Sequence, residues 1–301
     1  MSATLAPDAP VAPTVPAERT LLRRLRARPS AVVALALLGV LAAGALLAPW
    51  IAGLLHAAAP LDPMSAGSRL LPPSLVHPFG TDVQGRDVLS QLLQGGRASL
   101  AVAAVSTLIA ALCGTAVGIT AGYVGGRTDA LLMRGVDTFL AMPRVLVLIA
   151  LFALWPGAPV WGLALVIGAM SWFGLSRVVR AQTLTVRVRD HVAAARALGA
   201  SELHVLLRHV LPNVAGIALV AATLVASEVV GIEAGLSFLG LGVQPPQTSW
   251  GRMVQDGVSF LGSAWWIAVV PATAIAVTVA AISHLGDVLR DLVDVRQLPP
   301  G

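Results

Sequence analysis

Lysine is absent from this sequence of 301 residues, because all 20 of its Lys and Arg positions are arginines. A P-loop nucleotide site needs a lysine that contacts the β- and γ-phosphates. The chain therefore cannot be a P-loop ATPase. Cysteine is almost absent as well: Cys113 is the only one, which excludes an intrachain disulfide.

Charged residues are scarce, at 12% of the chain, whereas soluble domains contain about 25%. Hydrophobic residues make up 56%, and the mean hydropathy is +0.82. This composition indicates an integral membrane protein. The isoelectric point near 11.1 does not indicate nucleic-acid binding, because the arginines stand beside apolar segments, as in cytoplasmic loops of membrane proteins.

Apolar segments long enough, or nearly long enough, to cross a bilayer recur along the chain; a crossing takes about 20 residues. They cover residues 31–55, 98–123, 131–155, 158–177, 213–232 and 264–285. A cleaved secretory signal is the alternative for the first segment, but its apolar run exceeds the roughly 7–15 residues of a signal, so an anchor is predicted. We therefore predict an all-α integral membrane protein with six transmembrane helices.

The arginines are distributed unevenly over the segments between the spans. If the N-terminus lies inside, the outer segments contain only Arg69, Arg86, Arg97 and Arg252, and the others, apart from Arg144 within the third span, fall in or beside inner segments. Arginine and lysine favour the cytoplasmic side. The asymmetry therefore predicts that both termini are cytoplasmic.

Two spans contain stripes of small residues spaced four apart. Gly114, Gly118 and Gly122 form one stripe, and Ala218, Ala222 and Ala226 form the other. Such stripes allow two helix backbones to approach closely. The contact is either packing within one subunit or an interface between subunits, and the pattern is compatible with both.

The stretch DHVAAARALGASELHVLLRHVLPN, residues 190–213, is a water-compatible segment between the fourth and fifth spans. Gly199 can end a first short helix in the left-handed conformation, and Ser201 can cap a second. Pro212 closes the unit. The pattern predicts a helix–turn–helix on the cytoplasmic side whose small residues fit a groove on another protein; an ordinary loop is the alternative.

This stretch resembles the EAA loop of permease subunits of ATP-binding-cassette (ABC) importers. The matching positions are Ala194, Ala195, Gly199, Leu211 and Pro212. Ala193 stands where the motif usually has Glu, and His209 where it often has Ile. The resemblance implies that the loop couples to an ATPase subunit. The positions that it assigns to coupling are Ala193, Ala194, Ala195, Arg196, Leu198, Gly199, Ala200, Leu211 and Pro212.

Two further stretches resemble external segments of dipeptide, oligopeptide and nickel importer permeases. HPFGTDVQGRDVLSQLLQGGRASL, residues 77–100, resembles the segment after their first span, and EAGLSFLGLGVQPPQTSWGRM, residues 233–253, their last external loop. From its residues alone, the first predicts a short interfacial helix from Asp87 to Gly95-Gly96. The second either meets a delivery protein or is a plain loop. The external motif comprises Gly80, Thr81, Asp82, Gly85, Arg86 and Asp87.

The resemblance implies a type I ABC importer permease (MetI-like) fold in the bacterial inner membrane, with membrane lipid around it. It implies a heterodimer with a homologous permease, two ABC ATPase subunits and an extracytoplasmic solute-binding protein. It implies no catalytic residue, cofactor, metal or nucleic-acid partner. Di- or oligopeptides are the expected substrates, and nickel or other small solutes the alternative.

Domain boundaries follow from the spans and the resemblance. Residues 1–30 are predicted as a disordered tail with an Arg-rich cytoplasmic segment, and residues 31–290 as the transmembrane permease domain with its coupling loop at about 190–212. Residues 291–301 are predicted as a cytoplasmic tail.

Placing an ionisable side chain inside a membrane span costs free energy, so each such residue indicates an ion pair or a functional role. Arg144 lies near the middle of the third span and Glu228 toward the outer part of the fifth; Glu233 is a third candidate. Either they form ion pairs, with each other, with Asp137 or with a partner subunit, or they face the pathway, where Glu228 would contact a cationic group of the substrate.

Two other classes of protein are alternatives for this sequence. A membrane-embedded hydrolase needs a nucleophile and a base within reach of each other. Ser237 lies in a glycine-rich stretch, but His284 is the only histidine in the spans. His204 and His209 stand about 140° apart around a helix and form no metal pair on one face. A secondary transporter or channel is the stronger alternative, although the sequence shows no inverted repeat.

Overall fold

The computed structural model describes residues 28–54 and 69–294, so the predictions for the N-terminal tail and for residues 295–301 lie outside the described part. Within those ranges the chain is helical, with one isolated bridge between Thr81 and Asp87. The helices are α1 (Pro29–Leu54), α2 (Val88–Val124), α3 (Gly126–Leu140), α4 (Arg144–Leu154), α5 (Val160–Val186), α6 (Asp190–Ala197), α7 (Glu202–Val205), α8 (Leu211–Phe238), α9 (Trp250–Val258) and α10 (Trp266–Asp294).

Five helical segments are long and apolar enough to cross a membrane. They are α1, α2, α5, α10 and the segment that includes α8. A π-helical turn, Leu206–Val210, joins α7 directly to α8, so that residues 202–238 form one helical path. The pair α3 and α4 counts as a sixth span if its two bent parts are taken together. The predicted all-helical membrane class is confirmed.

The prediction of one continuous third span over 131–155 is wrong. α3 and α4 meet at an angle of 77°, with a break at residues 141–143. Pro143 has no backbone N–H to bond within a helix and disfavours the helical conformation at Met142, which favours a break at this point. Arg144 is consequently the first residue of α4 rather than a residue in the middle of a helix.

The prediction that Gly95-Gly96 ends a short interfacial helix is also wrong. Asp87 caps the helix as expected, but α2 continues through both glycines to Val124. A Cβ atom at Gly96 would lie 3.0 Å from the ring of Trp250, and one at Gly95 would lie 3.2 Å from the carbonyl carbon of Ser249. The two glycines therefore make room for the start of α9.

The glycine stripe of α2 packs against α5 within the same chain, and these two helices share the largest helix–helix contact in the described part. A Cβ at Gly118 would lie 2.6 Å from the carbonyl oxygen of Ser176, and one at Gly122 would lie 2.7 Å from Cβ of Thr183. Only glycine fits at such distances. The stripe is therefore an intrasubunit contact, which was one of the two interpretations.

Gly118→Ala should destabilise the subunit by about 1–3 kcal/mol, because the added methyl group overpacks the contact between α2 and α5. Gly39→Ala in α1 is the matched control, since no neighbouring atom of the described residues outside its own helix turn lies within 4 Å of a Cβ there. The measurement is the thermal midpoint of the purified importer in detergent. Equal midpoints for the two variants would contradict the packing argument.

Candidate functional site

The helix–turn–helix predicted for residues 190–212 is present in the structure. Gly199 has φ +83° and donates its N–H to the Arg196 carbonyl at 2.9 Å, while Ala200 donates to the Ala195 carbonyl at 3.1 Å. This is the Schellman pattern that ends a helix at a glycine. Ser201 then caps α7 by accepting the N–H of His204 at 3.3 Å. The turn is therefore fixed by backbone geometry.

The tip of this loop is apolar and exposed. Leu198 is 88% exposed, and Leu203 and Leu207 are also exposed. Val192 and Val205 point the other way and are fully buried in the main core. The loop thus packs on the helix bundle through its valines and exposes an apolar surface on the opposite side. We call the exposed leucines Leu198, Leu203 and Leu207 the loop tip.

The remaining coupling positions surround the loop tip or support it. Exposed positions are Ala193, Ala194, Arg196, Gly199 and Pro212. Half-buried positions are Ala195, Ala200 and Leu211, which pack against the main core. The exposed alanines project little from the helix surface, so another protein can approach its backbone closely.

A polar cluster that the sequence analysis missed ties this loop to the end of α2. Tyr123, the only tyrosine of the chain, donates its hydroxyl hydrogen bond to the carboxylate of Glu202. Arg196 donates to the same carboxylate at 3.2 and 3.3 Å, and its guanidinium carbon lies 5.4 Å from the centre of the tyrosine ring. Contact with Tyr123 and then with Glu202 raises the pKa of Arg196, which therefore stays charged.

Arg187, which follows α5, secures the same end of α2. Its guanidinium donates to the backbone carbonyl of Gly122 at 2.8 Å. Carbonyls in the last turn of a helix lack partners within the helix, and a cation there also interacts favourably with the helix dipole. The end of α2 is therefore held by both α5 and the loop.

A cavity of about 580 Å³ lies farther along the helices, between the break in the third span, α5 and α8. Its lining includes Phe139, Met142, Met170, Phe173 and Leu224. Arg144 and Glu228 also line it and form an ion pair with each other. Their side chains remain 24% and 55% exposed. The pair therefore faces open space rather than a packed core.

The other two acidic candidates do not take part in this ion pair. Asp137 pairs with Arg177 of α5. Glu233 is 1% exposed and accepts a hydrogen bond from Ser237 at 2.7 Å, without an ion-pair partner in the described part of the chain. Ser237 Oγ also accepts the N–H of Val243 at 3.3 Å. Glu233 therefore belongs to the anchoring of the following loop and not to the cavity.

The end of the bundle away from residues 190–212 carries an ordered layer, which we call the distal cap: residues 69–87 and 239–258. Asp82 is its first centre. Its carboxylate accepts backbone N–H groups of Gln84 and Arg86, each at 2.8 Å, and the Arg86 guanidinium at 2.7 Å. Gln91 donates to it at 3.0 Å, and Gly85 has φ +79°. Asp82 therefore organises the whole turn.

The rest of this motif joins the distal cap to the helices. Asp87 caps α2 by accepting the N–H of Ser90 at 2.8 Å. The Thr81 carbonyl accepts the indole N–H of Trp266 at 3.1 Å. A Cβ at Gly80 would lie 2.6 Å from a backbone oxygen and 2.7 Å from the Trp266 indole nitrogen. The motif residues thus have structural contacts that account for their types.

The two segments of the distal cap meet around a groove of about 450 Å³. Its lining includes Asp82, Arg86, Pro245, Pro246, Arg252 and Asp256. Trp250 anchors the second segment by donating its indole N–H to the Leu92 carbonyl at 2.9 Å. Both predicted external stretches therefore form one continuous ordered surface.

Comparison with known proteins identifies the class of this architecture. Residues 114–298 match the family described as the binding-protein-dependent transport system inner membrane component. Residues 19–73 match the N-terminal transmembrane domain of oligopeptide transport permease C. The chain belongs to this family of ABC importer permeases, so that the recognised resemblance and the type I permease fold are confirmed.

Individual relatives cover most of the chain. A putative peptide transport system permease protein of Brucella suis is 37% identical over 290 residues, which is 96% of this chain and 94% of the relative. The oligopeptide transport system permease protein OppC of Haemophilus influenzae is 35% identical over 272 residues, 90% and 86% of the two chains. A putative peptide permease protein of Brucella suis is 42% identical over 226 residues, 74% of each.

Family membership implies partners of two kinds, an ATPase and a solute-binding protein, and a multi-pass protein of the inner membrane. It favours an ABC importer subunit over the secondary transporter considered above. The family consists of membrane permease subunits, so this chain is a membrane-embedded subunit of such a transport system.

Tyr123→Phe should loosen the loop without changing its tip, because the variant lacks only the hydroxyl that reaches Glu202. One lost hydrogen bond of about 1 kcal/mol should speed tryptic cleavage within residues 187–208 about fivefold. Thr120→Val is the control, since that hydroxyl bonds only to the Ala116 carbonyl of its own helix. An unchanged cleavage rate for Tyr123→Phe would contradict the role of the cluster.

Proposed function

We propose that this permease subunit imports di- or oligopeptides, contributes half of the translocation pathway and couples to an ATPase through residues 190–212. The observation that carries the coupling assignment is the exposed loop tip on a rigid glycine-ended turn. Leucines exposed in this way on an ordered loop indicate a protein interface. The exposed alanines beside them allow the partner surface to come close.

The helical path over residues 202–238 supplies the mechanical connection. A force on the loop tip passes through α7 and the π-helical turn into α8 without an intervening flexible linker. α8 carries Glu228, which lines the cavity. The Tyr123–Glu202 contact passes the same displacement to α2. ATP-driven movement of the docked ATPase would therefore change the cavity in the membrane.

The proposed assembly has this chain in a heterodimer with a homologous permease, with two ATPases and one extracytoplasmic solute-binding protein. Support for the orientation comes from the arginines, since Arg127, Arg187, Arg189, Arg196 and Arg208 all lie at the loop end of the bundle. This end would face the cytoplasm. The distal cap would then face outward, where the solute-binding protein docks.

Peptides are proposed as the substrate because the relatives that align over most of this chain are named as peptide or oligopeptide permeases. Uptake of labelled trialanine by vesicles that contain the complete importer, with ATP inside, tests the assignment. ATP-dependent accumulation of nickel chelates but not of trialanine would contradict it.

Leu198→Asp should prevent docking, because the new carboxylate must lose its hydration when the ATPase covers it. We expect the ATPase recovered with the purified permease to fall about tenfold or more, which corresponds to roughly 1.4 kcal/mol or more. ATP-driven trialanine uptake should fall with it. Leu198→Met is the matched control, because it keeps an apolar side chain at the same position.

These substitutions should affect docking and not folding, because the exposed Leu198 makes little contact within the subunit. Both variants should therefore insert in the membrane in equal amounts. Full recovery of the ATPase with Leu198→Asp would overturn the assignment of the coupling surface.

Reporter fusions should place Gly126 inside the cell and Gly157 outside, since these glycines follow α2 and α4, respectively. The expected result follows from the concentration of arginines at the α2 end. A fusion to alkaline phosphatase, which is active only outside, and one to a fluorescent protein that matures inside provide opposite readouts. The same location for both glycines would refute the proposed topology.

A further inference from the structure

We propose that the cavity beside the broken span is a transient binding site for the two charged ends of a peptide. Arg144 takes the terminal carboxylate, and Glu228 takes the terminal ammonium group. The internal ion pair opens when the peptide enters and closes again when it leaves. This inference rests on the proposed peptide substrate.

The ion pair calls for an explanation because charges in a membrane span are costly, and apolar residues of similar size often give a more stable contact. Arg144 is also poorly placed for stability alone. It is the first residue of α4, where the positive end of the helix dipole repels a cation. Glu228 offsets this charge from α8. A purely structural contact at this place gains little from such a pair.

The surroundings of the pair fit a ligand of variable side chains. The cavity, at about 580 Å³, falls within the roughly 300–1,000 Å³ of small-molecule sites. Met142 and Met170 line it, and methionine adapts to ligands of different shapes. Among the described lining residues, Arg144 and Glu228 are the charged ones. The two fixed charges therefore recognise the charged termini that all free peptides share. The adaptable lining accepts peptide side chains of different shapes.

An exchange of ion pairs keeps every charge satisfied in both states. In the structure, the guanidinium and the carboxylate neutralise each other. A bound peptide supplies the opposite charge to each of them. A tripeptide spans roughly 10 Å, so the two side chains must move apart. Arg144 directly follows the break at residues 141–143, which allows α4 to move relative to α8.

A labelling experiment on the complete importer tests this exchange. Leu224→Cys, combined with Cys113→Ser, places the single thiol of this subunit in the cavity lining. The measured quantity is the rate of maleimide labelling with trialanine, with N-acetyl-trialanine and with trialanine amide. With trialanine at about ten times its Kd, labelling should slow about tenfold. Each blocked peptide should protect less.

Substitutions assign each terminus to its residue. Glu228→Gln should weaken trialanine protection and abolish the difference between trialanine and its N-acetyl form, while amidation still matters. Arg144→Gln should give the reverse pattern. The double variant Arg144→Glu, Glu228→Arg keeps an ion pair of opposite polarity and should recover protection, which separates loss of binding from loss of folding.

Cys113 of the otherwise unaltered chain is the control for direct effects of the peptides on the reagent, because it is exposed and does not line the cavity. Equal protection by free and blocked peptides, no protection at all, or the same pattern in both single variants would overturn the proposal. If trialanine is taken up with ATP but these patterns are absent, the cavity assignment alone fails. If trialanine is not taken up at all, the substrate assignment fails.

Discussion

The direct contact between the backbones of α2 and α5 is the constraint on which the rest of the subunit depends. In lipid, no hydrophobic drive holds helices together, so van der Waals contact must do so. Glycine at Gly118 and Gly122 brings the two helices close enough for that contact. α5 leads into the 190–212 loop, and α2 receives the Tyr123 anchor. A shift of this contact would therefore displace the loop and the cavity together.

Local patterns allowed several elements to be predicted from the sequence. Ser201 and Asp87 cap helices as their residue types suggest, and Gly199 adopts the left-handed conformation expected of it. These features depend on neighbours within a few residues. The apolar runs likewise predicted spans, because bilayer thickness sets the required length.

Features that depend on distant neighbours were not predictable in the same way. Gly96 looked like a helix end, but its role is set by Trp250, far along the chain. The cluster of Tyr123 and Glu202 joins residues 79 positions apart, and no local sequence pattern predicts this contact. Pro143 did indicate a break, but the apolar run around it favoured a single span. Hydropathy shows whether a segment is long and apolar enough to cross a bilayer, and not whether its helix is continuous.

The closed ion pair of Arg144 and Glu228 also has an electrical consequence for the proposed pathway. Among the described residues that line the cavity, these two are the charged ones, and together they carry no net charge. A site without net charge does not concentrate small cations or anions, whereas a lone carboxylate would attract protons and metal ions. In the proposed pathway, the closed pair therefore adds no net charge that would draw small ions into the importer at rest.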